Sequence, residues 1–180
     1  MVFLLLADGF EDMEAVAPID ILRRAEIPLC VVGVTGKQVT SKHGLVVQTD
    51  ILLADIDATE IEMLVLPGGP GVARLKENPD VFVLVTETAL SGKPIGAICA
   101  APGLLAEWGL LRGRQAVCFP SCESSLTQNG ALLDTCRQVV VDPPYVTAKS
   151  AGVSMEFALE LVALLRGRSA TETVFRDIHP

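Results

Sequence analysis

The chain has 180 residues, enough for one compact domain with a full-sized core, and half of them are hydrophobic. Its net charge of −8 and its lack of a basic run make nucleic acid and anionic membranes poor candidate partners. No apolar run reaches the roughly 18 residues that span a bilayer, and the first run, at 2–6, lacks the basic flank of a signal peptide. We therefore expect a single cytoplasmic domain over residues 1–180.

Apolar runs alternate with helix-like segments, which predicts a mostly parallel sheet with helices on both faces. The mean hydropathy of +0.46 agrees with strands that are buried on both sides. In chain order we predict strand 2–6, a helix ending near residue 25, strand 29–34, a hairpin that includes 45–48, strand 63–66, helix 79–90, strand 94–98, helix 100–107, strands 115–117, 139–141 and 145–148, and helix 153–166.

The first and last predicted helices carry apolar stripes that indicate their buried faces. Pro18 is awkward in the first helix, which either begins near Ala17 or is kinked at the proline. Gly167 is a natural stop for the last helix. The predicted stripes are Ala15, Val16, Ile19 and Leu22 in the first helix, and Ala158, Leu161, Val162 and Leu165 in the last. The segment 120–129 is ambiguous.

The segment 96–103, GAICAAPG, places a cysteine where a strand gives way to a helix. Open α/β sheets carry their sites at the carboxyl ends of such strands. The tight turn requires small neighbours, and Ala97 and Ala101 meet that requirement. Amides at the helix start are expected to lower the pKa of Cys99, which would make the thiol nucleophilic and oxidisable. The alternative is that Cys99 is an inert, buried, small hydrophobe.

A glycine-rich turn, 67–71, follows the strand at 63–66. Glycines there allow backbone N–H groups to converge on an anion or an oxyanion, although an ordinary strand-ending turn would look the same. The turn has neither the sequence of a phosphate-binding Walker loop nor that of a dinucleotide fingerprint.

An acidic turn follows the first strand and contains Asp8, Glu11, Asp12 and Glu14. Solvated carboxylates at the start of a helix account for most of them without any function. One of them could instead lie beside Cys99, where it would keep its proton and act as a proton shuttle. Spacing alone does not identify which one.

The histidines and the other cysteines show no metal-binding pattern. The cysteine count is odd and no CxxC occurs, so we predict free thiols and no zinc site. His43 and His179 lie far apart in the sequence, and neither is in a metal-type cluster. Roles stay open for the remaining thiols, Cys30, Cys118, Cys122 and Cys136.

Four segments together resemble the ThiJ/PfpI (DJ-1/PfpI) superfamily, and most closely its DJ-1/YajL branch. They are ADGFEDME at 7–14, LPGG at 66–69, AICAAP at 97–102 and AGVSMEFA at 151–158. The resemblance extends over almost the whole chain, in the same order and at similar spacing. It implies a three-layer α/β sandwich around a mostly parallel sheet, of the flavodoxin-like or class I glutamine amidotransferase-like kind.

The resemblance also implies roles for particular residues. Cys99 corresponds to the family's nucleophile and oxidation sensor, and Glu14 to the glutamate that hydrogen-bonds it. Backbone amides of Gly69 and Ala100, with Gly68 beside them, correspond to an oxyanion pocket. Members of this branch are usually homodimers and need no metal or organic cofactor, so we expect the same here.

The family's histidine is missing at the position that precedes a proline. Phe119, before Pro120, stands there instead. A cysteine protease triad is therefore not expected unless the fold brings His43 or His179 close to Cys99.

The resemblance implies action on reactive dicarbonyls such as methylglyoxal, or on their early adducts with amino groups and thiols, as a glyoxalase III or a protein deglycase. The expected ligand is a small aldehyde or a glycated substrate. One alternative is a redox-sensing, stress-protective or chaperone-like protein whose Cys99 oxidises to a sulfinate. A second alternative is a PfpI-type peptidase or amidase.

Overall fold

A computed structural model describes residues 1–179. The strands are β1 Val2–Leu6, β2 Leu29–Gly33, β3 Gln38–Thr40, β4 Val46–Gln48, β5 Ile51–Leu52, β6 Met63–Leu66, β7 Ile95–Ile98, β8 Gln115–Ala116, β9 Leu132–Leu133, β10 Val139–Asp142 and β11 Tyr145–Ala148. The helices are α1 Asp12–Arg24, α2 Val72–Glu77, α3 Pro79–Leu90, α4 Ala101–Glu107, α5 Glu123–Gln128, α6 Ser154–Arg166 and α7 Arg168–Ile178.

Seven strands form the central sheet in the order β10-β11-β7-β6-β1-β2-β5. All neighbours run parallel except the antiparallel pair β10–β11. Strands β3 and β4 form a separate antiparallel hairpin, and β8 and β9 a short parallel pair. Because β1, β6 and β7 are adjacent and parallel, the turns after them meet at one edge of the sheet.

Strand β1 shows how the sheet separates two cores, since its side chains alternate between faces. Phe3 and Leu5 pack into the core that is covered by α2, α3 and α4. Leu4 and Leu6 pack into the core that is covered by α1, α6 and α7. Burying each of these side chains contributes roughly 1.5–3 kcal/mol. The three-layer, mostly parallel fold that the sequence predicted is therefore confirmed.

Several predicted elements agree with the structure, and others need correction. Strands 2–6, 63–66 and 145–148 and helix 79–90 have the predicted bounds. Helix α1 begins at Asp12, so Pro18 lies in its interior, where the buried ring packs against the core. Val16 is 46% exposed rather than buried, and Leu165 is only partly buried. Helices α2 and α7 were not predicted, and the ambiguous segment contains α5.

None of the helices within residues 1–179 is both long enough and apolar enough to cross a membrane.

Candidate active site

Cys99 occupies the turn between β7 and α4, where its backbone has a φ of +65°. This left-handed conformation is uncommon for a residue with a side chain and costs about 1–3 kcal/mol. Two hydrogen bonds of 2.8 Å hold it, from Cys99 N to Ala148 O and from Phe119 N to Cys99 O. The turn leaves the side chain partly exposed at the carboxyl edge of the sheet.

Glu14 lies in the first turn of α1, and its side chain has no exposed surface. Glu11 caps the helix by accepting a hydrogen bond from Glu14 N at 3.0 Å. Glu14 Oε2 accepts a hydrogen bond of 2.8 Å from Gly68 N, which fixes the carboxyl group. Glu14 Oε1 is buried and has no partner of good hydrogen-bond geometry within the described chain. A buried, half-satisfied carboxyl of this kind is expected where chemistry takes place.

Gly68 separates the carboxyl of Glu14 from the side chain of Cys99. A Cβ atom on Gly68 would lie 2.6 Å from Glu14 Oε2 and 2.7 Å from Cys99 Cβ, closer than real side chains approach. The missing side chain therefore allows the acid and the thiol to approach each other from opposite sides. The next residue, Gly69, has a φ of +87°, a left-handed backbone conformation that favours glycine.

Burial raises the pKa of Glu14 to about 7, because a charged carboxylate is poorly solvated there. The neighbouring Cys99, the Gly68 amide and the positive charge of Lys42 act in the opposite direction, while Glu11 adds to the rise. Near neutral pH the carboxyl group is therefore able both to hold and to release a proton.

Burial and, after it, the nearby carboxyl group of Glu14 raise the pKa of Cys99 to about 12. The nearby backbone amides of Gly69 and Ala100 act in the opposite direction and lower the pKa of Cys99. The sequence predicted this influence of the amides correctly, but the predicted net lowering of the Cys99 pKa is wrong, because burial and the Glu14 carboxyl outweigh the amides. Protonation of Glu14 removes the carboxylate charge, so the thiolate form of Cys99 is favoured when Glu14 holds a proton.

A cavity of about 350 Å³ opens onto these groups. Its lining includes four of the residues that the sequence singled out, namely Glu14, Gly69, Cys99 and Ala100. Gly68 contributes its amide to Glu14 and is itself buried beneath them. The lining also includes Glu11, Lys42, Phe119 and residues 150–152. Sequence reasoning missed Lys42 and 150–152, because only the strand order brings their loops to this edge.

Neither histidine is part of the cavity lining. His43 Nδ1 lies 3.0 Å from Asp12 Oδ2, and the ring of His179 stacks on that of Phe175. Phe119, at the family's histidine position, lines the cavity and is 42% exposed. The fold therefore brings neither histidine into the cavity beside Cys99.

Glu11, Asp12 and His43 have donor atoms within 4.8 Å of one another, a grouping that the sequence did not predict. Internal bonds already account for much of it, because Ser41 Oγ donates to Asp12 Oδ1 at 2.6 Å and His43 pairs with Asp12 Oδ2. These bonds join the 41–43 turn to the start of α1. All five cysteines are free thiols, as predicted.

A sequence profile of the DJ-1/PfpI family matches residues 1–164. The chain belongs to the DJ-1/PfpI family. Among DJ-1/PfpI proteins, it is 37% identical to protein DJ-1 homolog B of Arabidopsis thaliana over 91% of its own length, and it spans 37% of that longer relative. It is 33% identical to a deglycase of Thermococcus kodakarensis, covering 92% of this chain and 99% of that protein.

It is also 30% identical to a glutathione-independent glyoxalase of Caenorhabditis elegans, over 97% of this chain and 93% of that protein. The crystal structure of Drosophila melanogaster DJ-1beta superposes with a TM-score of 0.93 at 32% identity, covering 98% of this chain and 96% of that one. The likeness confirms the flavodoxin-like DJ-1/PfpI fold that the sequence predicted.

Proposed function

We propose that this protein is a cofactor-free enzyme that uses Cys99 to convert reactive dicarbonyls such as methylglyoxal, or their early adducts with amino groups and thiols. The observation that supports this most strongly is the pairing of a thiol with a buried carboxyl, whose pKa is about 7, in one cavity. Relatives named as a glyoxalase and a deglycase, at 30% and 33% identity, support the same substrate class.

The first step is attack of the Cys99 thiolate on the aldehyde carbon. A carbon–sulfur bond forms and the carbonyl electron pair moves to oxygen, which gives a hemithioacetal. The backbone amides of Gly69 and Ala100, which lie close enough to Cys99 to lower its pKa, stabilise this oxyanion. The amide of Gly68 does not take part, because it donates to Glu14.

Glu14 then moves a proton between the two neighbouring carbons. The protonated acid first gives its proton to the oxyanion, which leaves a carboxylate. This carboxylate takes the proton from the former aldehyde carbon and returns it to the former ketone carbon, while the hydroxyl proton passes to the former ketone oxygen, so that a thioester of a 2-hydroxy acid forms. Water cleaves the thioester and releases the acid and the thiol. The overall change adds one water to methylglyoxal and yields lactate, so no redox cofactor is required.

Replacement of the sulfur tests the mechanism directly. We expect Cys99→Ala to form no lactate from methylglyoxal above the uncatalysed rate, whereas Cys136→Ala, which removes an exposed thiol outside the cavity lining, keeps the activity. Lactate is measured by enantioselective chromatography. Full activity in Cys99→Ala would overturn the proposal.

The unpartnered Glu14 Oε1 also favours a second function, redox sensing. Two equivalents of hydrogen peroxide would oxidise the partly exposed Cys99 thiol to a sulfinic acid, and a protonated Glu14 could donate a hydrogen bond to the new oxygen. Mass spectrometry after mild peroxide treatment distinguishes the functions. Two added oxygens confined to Cys99, in a protein with no aldehyde turnover, would favour sensing. Peptide hydrolysis lacks support, because no histidine lines the cavity.

We also propose a homodimer that is formed through α1. The outer face of this helix exposes Met13 at 56% and Val16 at 46% on the element that carries Glu14. Apolar side chains grouped in this way are typical of a surface that another protein covers. Sedimentation should give a dimer for the wild type, a monomer for Val16→Asp, and a dimer for the control Leu90→Asp on α3.

A further inference from the structure

Lys42 places a positive charge at the edge of the active-site cavity. It lines the cavity together with Cys99, and its side chain is exposed. Within residues 1–179, no ion pair involves its ammonium group. The charge is close enough to influence Glu14, whose pKa burial raises and Lys42 lowers. The ammonium group is therefore available to a ligand.

The backbone that carries Lys42 is fixed relative to the site. Lys42 N donates to Phe10 O at 2.8 Å, and the two neighbours of Lys42 in the chain are both bonded to Asp12. Phe10 and Asp12 lie just before and at the start of α1, the helix that carries Glu14. The ammonium group is thus carried by an anchored turn, and not by a free loop.

The other charged groups of the cavity are both carboxyls, Glu11 and Glu14. Glu11 Oε2 is used as the cap of α1, and Glu14 Oε2 is bonded to Gly68 N. Glu14 is neutral in the form that accompanies the thiolate. An anionic group on a ligand would therefore find one attractive charge here, that of Lys42.

We propose that the site acts on α-oxoaldehydes that carry a carboxylate, with Lys42 pairing with the carboxylate while Cys99 attacks the aldehyde. This inference rests on the proposed function and narrows its substrate class. The cavity, of about 350 Å³, is in the range of sites that hold whole small molecules. The steps are unchanged: 4,5-dioxopentanoate gains one water and gives 2-hydroxyglutarate.

The effect of the Lys42 charge on a ligand anion can be measured by alkylation of Cys99, which requires no catalytic turnover. Iodoacetate and iodoacetamide lose the same leaving group but differ in charge, so the ratio of their rates cancels the reactivity of the thiol. We expect this ratio to fall about fivefold in Lys42→Gln, which is the upper end of the usual effect of an exposed charge pair. Lys42→Arg should keep the ratio, and so should Lys37→Gln, which makes the same change of charge outside the cavity lining. Peptide mass spectrometry isolates Cys99 from the other free thiols.

Turnover gives the second arm of the test. The ratio of kcat/KM for 4,5-dioxopentanoate to kcat/KM for methylglyoxal should fall about fivefold in Lys42→Gln for the same electrostatic reason, and less at high salt. Lys42→Arg should restore the wild-type ratio, because it restores the charge.

The alkylation and turnover measurements test the inference and the proposed function separately. An alkylation ratio that Lys42→Gln leaves unchanged overturns the inference, even if methylglyoxal is converted to lactate. If Lys42→Gln lowers the alkylation ratio but the wild-type protein converts neither aldehyde, the proposed function is overturned, and the substrate class with it. A fall in both ratios supports the pairing of Lys42 with the substrate carboxylate.

Discussion

The cavity has two walls that are built in different ways. The inner wall consists of Glu14, Gly68 and Cys99, where a buried carboxyl and a thiol approach one glycine so closely that no side chain fits between them. The outer wall includes Lys42 and Phe119, both exposed. The groups to which we assign the chemistry are thus held by close packing against the backbone, whereas the exposed groups that we expect to contact the rest of a substrate are less tightly packed. Substitutions should have large effects on the inner wall and small effects on the outer wall.

The largest expected effect is that of Glu14→Gln on turnover. Lactate formation should fall by about 10²–10⁴-fold, the usual contribution of a group that transfers protons. Alkylation of Cys99 by iodoacetamide at pH 8 should nevertheless become faster, because the carboxylate charge that raises the pKa of Cys99 is gone. Slower alkylation in this variant would show that the Glu14 charge does not control the thiol.

The next effect concerns stability and pH. The pKa of Glu14 is raised in the folded protein from 4.5 to about 7, so the folded state binds the proton more tightly than the unfolded state. The stabilisation that the protonated acid provides is fully present below pH 4.5 and is lost as the pH rises through 7. Relative to Glu14→Gln, the wild type should lose about 3 kcal/mol of unfolding free energy across this window.

Urea unfolding at several pH values measures this difference. Other carboxyls with shifted pKa values, such as Asp12 and Glu62, occur in both proteins and cancel in the comparison. A difference that does not vary between pH 4.5 and 7 would show that Glu14 titrates normally.

Gly68→Ala should have the third effect. The added methyl group collides with Glu14 Oε2 and Cys99 Cβ, which should cost about 1–3 kcal/mol of unfolding free energy, as overpacking does. Gly152→Ala is a matched control on the outer wall, where an added Cβ has no atom within 4 Å. Its unfolding free energy should stay within about 0.5 kcal/mol of the wild type. Equal stability of the two variants in urea would contradict the close packing of the inner wall.

Phe119→Ala should have the smallest effect. The side chain is 42% exposed, and the hydrogen bond that Phe119 makes to Cys99 O comes from the backbone, which alanine retains. We expect kcat/KM for methylglyoxal to change by about twofold or less. Phe119→Pro removes the backbone N–H and should reduce activity more than alanine does. A large loss of kcat/KM in Phe119→Ala would show that the Phe119 side chain matters as much for activity as the inner-wall residues do.

The sequence predicted the central strands well, because continuous apolar runs such as 2–6 and 63–66 are too short for buried helices and too apolar for surface loops. It missed α7, although Ala170, Val174 and Ile178 recur at four-residue spacing and face the core, because this stripe is narrow and only Val174 is fully buried. The sequence left the start of α1 open at Pro18, because a proline inside a helix removes a backbone hydrogen bond. Burial of the ring in the core offsets that loss, and burial depends on the tertiary structure.

The inner wall of the site was predictable in part. Cys99 and the glycine turn are recognisable, because strand ends and glycines have local signatures, whereas the choice of Glu14 among four acidic residues came from the family resemblance. Lys42 has no such signature, since its place in the site depends on the hydrogen bond to Phe10 across the fold. The net direction of the Cys99 pKa shift could not be predicted either, because nearby amides are visible in the sequence and desolvation is not.

The backbone hydrogen bond between Cys99 and Ala148 also concerns the newly made chain. Because β11 pairs with β7 and supplies this bond, the left-handed turn at Cys99 lacks one of its two supporting hydrogen bonds until Ala148 has left the ribosome. A nascent chain that already exposes the cysteine therefore carries an ordinary thiol. The proposed site is complete only when the sheet closes, so the order of synthesis delays its assembly until β11 has been made.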